Sequence, residues 1–460
     1  MSETLIIGAG FAGLAAGVAL SSAGKRVRIL EQKPYLGGRA RSFAHAATGA
    51  TVDNGQHIFM GCYHETLAFL KTIGTLDRLR FQPRLAVHFV DRQQGLTSLK
   101  CPSLPAPWHL LGGVLKSNSF NLAEKLQVVR LGRALKAANA TKLYEELRCL
   151  TVDEWMARMG QSEKLRRNFW DLLCIAALNE DPRIAAASVF EPVLRLALFK
   201  SARDSRIGLA NCGLSECYTE AATTFIRARG GEVELNRDVS GLILDSVKND
   251  ANDKPELVCR GVRFSDGSTL ASDIVLSAVP CFQLARLLPH DLLIGEPFFA
   301  GLAVMRPVPI ISLNLWLDRD ITPIEFAGLR GTTVQWFFNK GKILGSGEHY
   351  ISLVISGAHE HVHREKEELL SLALQELKEL FPRAREATVL HSLVIKERFA
   401  TFSASVEVAG LRPGSRTPVA GLYLAGDWTN TGLPATIESA VKSGYTAARE
   451  LLSSQHTSAV

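Results

Sequence analysis

The sequence has no Cys-x-x-Cys pair, no block of like charges, no internal repeat and no low-complexity stretch, and each absence removes a class of protein. Eight cysteines (Cys62, Cys101, Cys149, Cys174, Cys212, Cys217, Cys259, Cys281) are scattered through 460 residues. That spacing supports neither a metal cluster nor a disulfide scaffold, so no metal is expected. It implies thiols that behave as small core hydrophobes in a reducing cytosol. The formal charge of +6 is spread out rather than clustered. It suits an anionic membrane surface or a phosphate-bearing ligand, and no nucleic-acid partner is expected. Charged residues are 21% of the chain against 47% hydrophobic, the balance of a soluble globular protein with little disorder. The length exceeds what one core organises, which implies at least two domains.

One uncharged run, 4–24, is long enough to resemble a signal peptide or a spanning helix. Met1, Ser2 and Glu3 precede it instead of a basic region, and Gly8, Gly10, Gly13 and Gly17 interrupt it. The pattern predicts a buried strand running into a buried helix. Gly8-Ala-Gly10-Phe-Ala-Gly13 follows the β-prone Thr4–Ile7, small apolar residues continue to Leu20, and Val27–Leu30 ends at Glu31. This is strand, tight turn, helix and strand, with an acid about 20 residues beyond the glycines, the pattern of a dinucleotide-binding unit. Gly8 permits the turn, Gly10 admits a pyrophosphate to the helix N-terminus, and Gly13 lets helix and strand touch. Glu31 is placed to accept hydrogen bonds from a ribose diol. The pattern alone leaves the dinucleotide open.

Directly after Glu31 comes a second glycine pair, Gly37-Gly38-Arg39-Ala40-Arg41-Ser42. Near the other end, a strand at 419–424 leads into Ala425-Gly426-Asp427-Trp428 and then Leu433-Pro434-Ala435-Thr436-Ile437-Glu438. The two segments resemble the GG-R-x-x-S and C-terminal flavin motifs of the amine oxidase and phytoene desaturase superfamily. The resemblance implies FAD as cofactor. Arg39 would offer a forked donor to its phosphates, Asp427 would hold the ribityl or pyrophosphate region, and the segment with Pro434, Ala435 and Ile437 would turn the backbone N–H groups near it toward the isoalloxazine. It also implies that Val239 lines the adenine, and that Gly55 and Gln56 are flavin contacts. The expected fold is α/β, a Rossmann-like FAD-binding domain in a two-domain flavoprotein resembling the GDP-dissociation inhibitors, with an α+β substrate domain. The cofactor domain is expected to be discontinuous (1–80, 207–287 and 403–460), and the substrate domain to comprise 81–206 and 288–402.

Two strings, 53–61 (Asp53-Asn54-Gly55-Gln56-His57-Ile58-Phe59-Met60-Gly61) and 425–438, resemble the hydroxysqualene dehydroxylase family in particular. That resemblance implies reductive dehydroxylation of hydroxysqualene to squalene in hopanoid biosynthesis, with reduced flavin delivering hydride to an allylic carbon. The candidate acid is His57, oriented by Asp53. Only one nucleotide fingerprint occurs, so electrons are expected from an external donor. The rival readings are a carotenoid-type desaturase or amine oxidase moving hydride the other way, and a non-catalytic prenyl-lipid carrier.

Helices are expected at 122–135, 185–198 and 366–380, and strands at 310–317, 333–338 and 350–355. The stretch 104–116 combines prolines, Trp108, an apolar run and Lys116. It is the candidate for membrane contact, which makes the expected location cytoplasmic and peripherally membrane-associated. His359-Glu360-His361-Val362-His363 matches H-E-x-x-H in letters only, since its charged surroundings predict an exposed helix start. The tail after Leu452 is expected to be loose.

Overall fold

The computed structural model describes residues 3–248 and 255–457. Thr4–Ile7 is a strand with every residue buried, which is why it reads as an unbroken apolar run without alternation. It pairs in parallel with Val27–Leu30 on one side and Val275–Ser277 on the other. Glu232–Glu234 and Leu422–Leu424 extend the two flanks, again in parallel. The five strands come from three separated parts of the chain. The uncharged run at 4–24 is thus strand followed by the buried helix Phe11–Ser22, and among the described residues no helix is long and apolar enough to cross a membrane.

Glycines set how closely this layer packs. A Cβ on Gly13 would lie 1.9 Å from the Gly8 carbonyl oxygen, so the helix rests directly on the turn that starts it. A Cβ on Gly444, in the last helix Ile437–Thr457, would lie 2.3 Å from the Ala12 carbonyl oxygen. The first and last helices therefore meet backbone to backbone.

The other large sheet has seven strands, in the order Val389–Phe402, Pro307–Leu317, Tyr350–Ile355, Trp336–Asn339, Phe326–Leu329, Ala86–Asp91 and Gly95–Lys100. Its pairings are antiparallel except that of Phe326–Leu329 with Ala86–Asp91. Helix Lys366–Leu380 covers one face through Leu369, Ala373 and Leu377. Phe89, Leu99, Trp336 and Phe338 belong instead to the core shared with the helices between Trp108 and Leu194. Capping boxes fix two of those helix starts, Asn121 with Glu124 and Thr151 with Glu154.

Four local expectations need correction. The strand expected at 333–338 is Trp336–Asn339, because the amides of Thr333 and Val334 donate to the Glu376 carboxylate (2.7 and 3.0 Å) rather than to a ladder. The helix expected from Ala185 begins at Ala187, since Ala185 and Ala186 form bridges to Ser405 and Thr151, and it widens to a π-helix over Arg195–Phe199. Residues 359–363 are turns ahead of Lys366, so their histidines share no helical face. The chain after Leu452 continues its helix to Thr457, and 458–460 lie outside the described residues.

Candidate active site

One cavity of about 1840 Å³ joins the two layers. Ligand sites usually occupy roughly 300–1,000 Å³, so this volume accommodates two sizeable molecules. Its lining changes character along its length. One part is the nucleotide fingerprint and the C-terminal motif, from Gly8 and Glu31 to Asp427 and Ile437. The other is mostly apolar, with Val87, Phe89, Leu131, Phe169, Leu172 and Trp336 among its walls.

At the polar end Gly8 holds φ at +100°, a left-handed conformation that glycine adopts without strain. A Cβ built on Gly10 would meet nothing within 4 Å, and one on Gly38 would meet only the Gly10 Cα at 3.6 Å. The two glycines thus floor an open cradle at the N-terminus of helix Phe11–Ser22, which suits a pyrophosphate. Glu31 accepts from the amides of Ala9 and Lys33 (2.9 and 3.0 Å) and still faces the cavity. Val239, Ser240 and Lys33 line the same region, where the Arg237 amide bonds the Glu31 carbonyl.

The N- and C-terminal motifs meet through Arg39. Its Nη2 donates to Asp427 Oδ1 and its Nη1 to the Ala400 carbonyl, both at 2.7 Å. The expected fork toward phosphate is therefore engaged by protein in this structure, although Arg39 and Asp427 both line the cavity. Burial opposes the Arg39 charge, yet the Asp427 carboxylate outweighs it and holds the guanidinium above its ordinary pKa. Pro434, Ala435 and Ile437 line the cavity where helix Ile437–Thr457 starts.

Several supports went unread in the sequence. Arg412 is buried and donates to four carbonyls of the C-terminal loop: Asp427 (3.0 Å), Trp428 (3.1 Å), Thr429 and Leu433 (2.7 Å). Tyr218 stacks on Phe11 and donates to the carbonyls of Gly37 and Ala40 (2.8 and 3.0 Å). Glu438 accepts from the amides of Glu65 and Thr66 and from the Thr66 hydroxyl, tying the last helix to the start of helix His64–Thr72. A capping residue usually precedes its helix, and this one arrives from the far end of the chain.

His57 faces the cavity beside Gly55 and Gln56. Burial drives its pKa down to about 4; Asp53 opposes that shift, while Arg39 and Lys340 add to it. The imidazole is thus neutral near pH 7. Asp53 is committed elsewhere, its Oδ1 accepting from the Ser42 hydroxyl and the Leu214 amide (2.7 and 2.9 Å) and its Oδ2 from Lys340 Nζ (2.8 Å). Its influence on His57 is therefore exerted by charge, and its geometric task is to anchor the segment that carries His57. Glu397 stands on the same wall and accepts from Asn54 (3.0 Å).

The family model for flavin containing amine oxidoreductases matches residues 11–452. The chain is 30% identical to the hydroxysqualene dehydroxylase of Zymomonas mobilis, over 98% of its own length and 100% of the relative's. It is 25% identical to the 15-cis-phytoene desaturase of Synechococcus elongatus, over 98% and 96%. Among solved structures, an oxidoreductase from Methanosarcina mazei has the same fold, with a TM-score of 0.73 at 19% identity over 98% of this chain and 100% of that one. Family and cradle agree on the cofactor, and the carrier reading falls away. The chain belongs to the flavin containing amine oxidoreductase family and is an FAD-dependent oxidoreductase, similar within that family to the hydroxysqualene dehydroxylases.

Proposed function

We propose that the protein reduces hydroxysqualene to squalene. The observation that carries this reading is the continuity of the dinucleotide cradle with a long apolar chamber. A polyisoprene is held by area, at ~0.8 kcal/mol per buried CH₂, and the chamber offers that area beside the cofactor. Residues 1–80, 207–287 and 403–460 hold FAD in this reading, and 81–206 and 288–402 hold the lipid. Bound there and reduced, FAD would supply the hydride, and a negative charge on it would favour a protonated imidazole at His57. The His57 ring then gives a proton to the carbinol oxygen, the C–O bond breaks and water leaves. The resulting allylic carbon would be the site at which that hydride closes a C–H bond. The apolar walls keep solvent from capturing that carbon. Two electrons are consumed per turnover, and an external donor restores them.

The reaction is tested anaerobically, with reduced protein on hydroxysqualene and oxidised protein on squalene or phytoene. Squalene from the first alone supports the reading, whereas dehydrogenated polyene from the second replaces it with desaturation. His57→Gln is expected to retain FAD and lose about 10²–10⁴ in kcat. A kcat within threefold of the parent assigns the proton to another group.

The lipid is proposed to enter from a membrane surface. Leu104, Trp108, Leu115, Leu122 and Leu126 are exposed along helices Trp108–Lys116 and Leu122–Ala137 and the segment leading into them. Trp108, Arg133 and Lys136 also line the cavity, which places cations at that end of the chamber. Trp108→Ser with Leu115→Ser should weaken binding to phosphatidylglycerol vesicles by about tenfold or more. Unchanged co-sedimentation would remove this route.

A further inference from the structure

Cys212 and Cys217 stand at the two positions that staple a helix start. Helix Leu214–Arg227 has Gly213 as its N-cap, so Cys212 precedes the cap and Cys217 is the fourth residue of the helix. A pair of apolar side chains commonly packs across these positions. Here the pair consists of two thiols whose Sγ atoms lie 3.3 Å apart. Closure to a bond of about 2.05 Å asks for little further movement. No other pair among the eight cysteines is in comparable contact among the described residues.

The two thiols are unequal. Cys212 is partly exposed and Cys217 is buried. The contact between the two sulfurs holds the Cys212 pKa below its ordinary value against the effect of burial, while the same contact and burial push the Cys217 thiol up. Attack by the accessible sulfur and resolution by the buried one follow from that asymmetry.

The site also has a neighbour of consequence. Between the two cysteines, the Leu214 amide holds Asp53 and the Ser215 amide holds the Ser42 hydroxyl (2.9 and 3.0 Å), while the Ser215 hydroxyl accepts from the Ser42 amide (2.8 Å). Ser42 and Asp53 bracket the segment that leads to His57.

We propose that Cys212 and Cys217 form a reversible dithiol/disulfide site that locks the helix start anchoring Ser42 and Asp53. The oxidant is a low-molecular-weight disulfide. The Cys212 thiolate displaces one thiolate from it to give a mixed disulfide. The Cys217 sulfur, losing its proton, then attacks Cys212 Sγ and expels the second thiol. The protein dithiol loses two electrons and two protons, and the small disulfide becomes two thiols. The inference is independent of the lipid substrate, since neither cysteine lines the cavity.

Both residues fall in one tryptic peptide, Ile207–Arg227, which contains no internal Lys or Arg. The FAD-loaded protein is equilibrated in glutathione buffers from reducing to oxidising, acid-quenched and mapped by mass. Exposed Cys149 serves as the internal control for reagent access. The expected result is loss of two hydrogens from Ile207–Arg227, reversed by dithiothreitol, with slower amide exchange across 212–219 in the oxidised protein. Cys217→Ser should stall as a glutathione adduct on Cys212. The proposal is overturned if wild-type protein keeps both thiols once Cys149 is fully modified, or if it stalls at the adduct. Unchanged exchange across 212–219 in the oxidised protein overturns the lock.

Discussion

Replacing Lys340 by methionine is expected to destabilise the protein by about 3–5 kcal/mol at pH 7, the range for leaving one partner of a buried ion pair uncompensated. Lys340 and Asp53 have side chains only 3% and 9% exposed, at 2.8 Å. Burial alone would raise the Asp53 pKa. The Lys340 charge and hydrogen bond, the Leu214 amide and the Ser42 hydroxyl reverse that and hold it below the ordinary 3.8. A carboxylate with a depressed folded pKa contributes stability above its unfolded pKa, and loses that contribution as pH falls through the folded value. In Lys340→Met the desolvation remains without the cation, so the sign inverts and protonation of Asp53 relieves the strain. The stability gap between wild type and variant should therefore narrow as pH is lowered from 7 toward 4. Asp53→Asn added to Lys340→Met should recover much of the loss at pH 7. Urea unfolding of all three proteins at pH 7 and pH 5 checks this, and a gap that is small or independent of pH would show the pair to be dispensable.

His57 gives a contribution of opposite origin in the same pH range. Its folded pKa of about 4 lies below the ordinary 6.5 because burial disfavours the imidazolium. Between those values the unfolded chain takes up a proton that the folded chain refuses, so stability falls as pH is lowered from 6.5 toward 4. His57→Gln carries no such proton, and it should flatten that part of the wild-type profile.

What the sequence made legible was local. The turn at Gly8–Gly13, the acid at Glu31, the Gly37–Gly38 pair and the Gly426–Asp427 turn are each read within a short window, because their spacing is set by one strand–turn–helix passage. The discontinuity of the cofactor domain was read from the resemblance, while the parallel pairing of strands from three separated parts of the chain came from the structure. The supports of the site lie beyond any window. Lys340 reaches Asp53 across 287 residues, Glu438 reaches Thr66 across 372, and Arg39 reaches Asp427 across 388. No periodicity encodes those encounters, since they exist only once distant parts of the chain have packed. Asp53 was read as a partner for His57 because the family resemblance places their shared segment near the flavin, and the fold instead gave its carboxylate to Lys340, the first residue of helix Lys340–Leu344.

Arg412 carries the second large expected effect. The loop from Asp427 to Leu433 turns too sharply for its carbonyls to find a ladder, and one guanidinium satisfies four of them. Burial pulls the Arg412 pKa down to about 10 against the pull of Asp427, so the side chain is still charged at neutral pH. Its planar fork is what allows so many acceptors to be met at once. Arg412→Lys retains the charge with a compact ammonium that cannot span the set, and Arg412→Met takes the guanidinium from the Trp428 and Leu433 carbonyls, while those of Asp427 and Thr429 keep the Ser439 hydroxyl and the Thr431 amide (3.0 and 2.8 Å). Each unpaired buried acceptor costs about 1–3 kcal/mol before relaxation. A loss of about 3–5 kcal/mol is expected for Arg412→Met, and a smaller one for Arg412→Lys. The loop also carries Asp427 to Arg39 and leads into Pro434, so both variants should purify with less FAD than wild type, measured as the ratio of flavin to protein absorbance. Full flavin content in Arg412→Met, with an unchanged urea midpoint, would mean that the loop holds its shape without the guanidinium. The clasp between the two ends of the chain would then rest on the Arg39–Asp427 pair, the Glu438 contacts to Glu65 and Thr66, and the packing of the first and last helices.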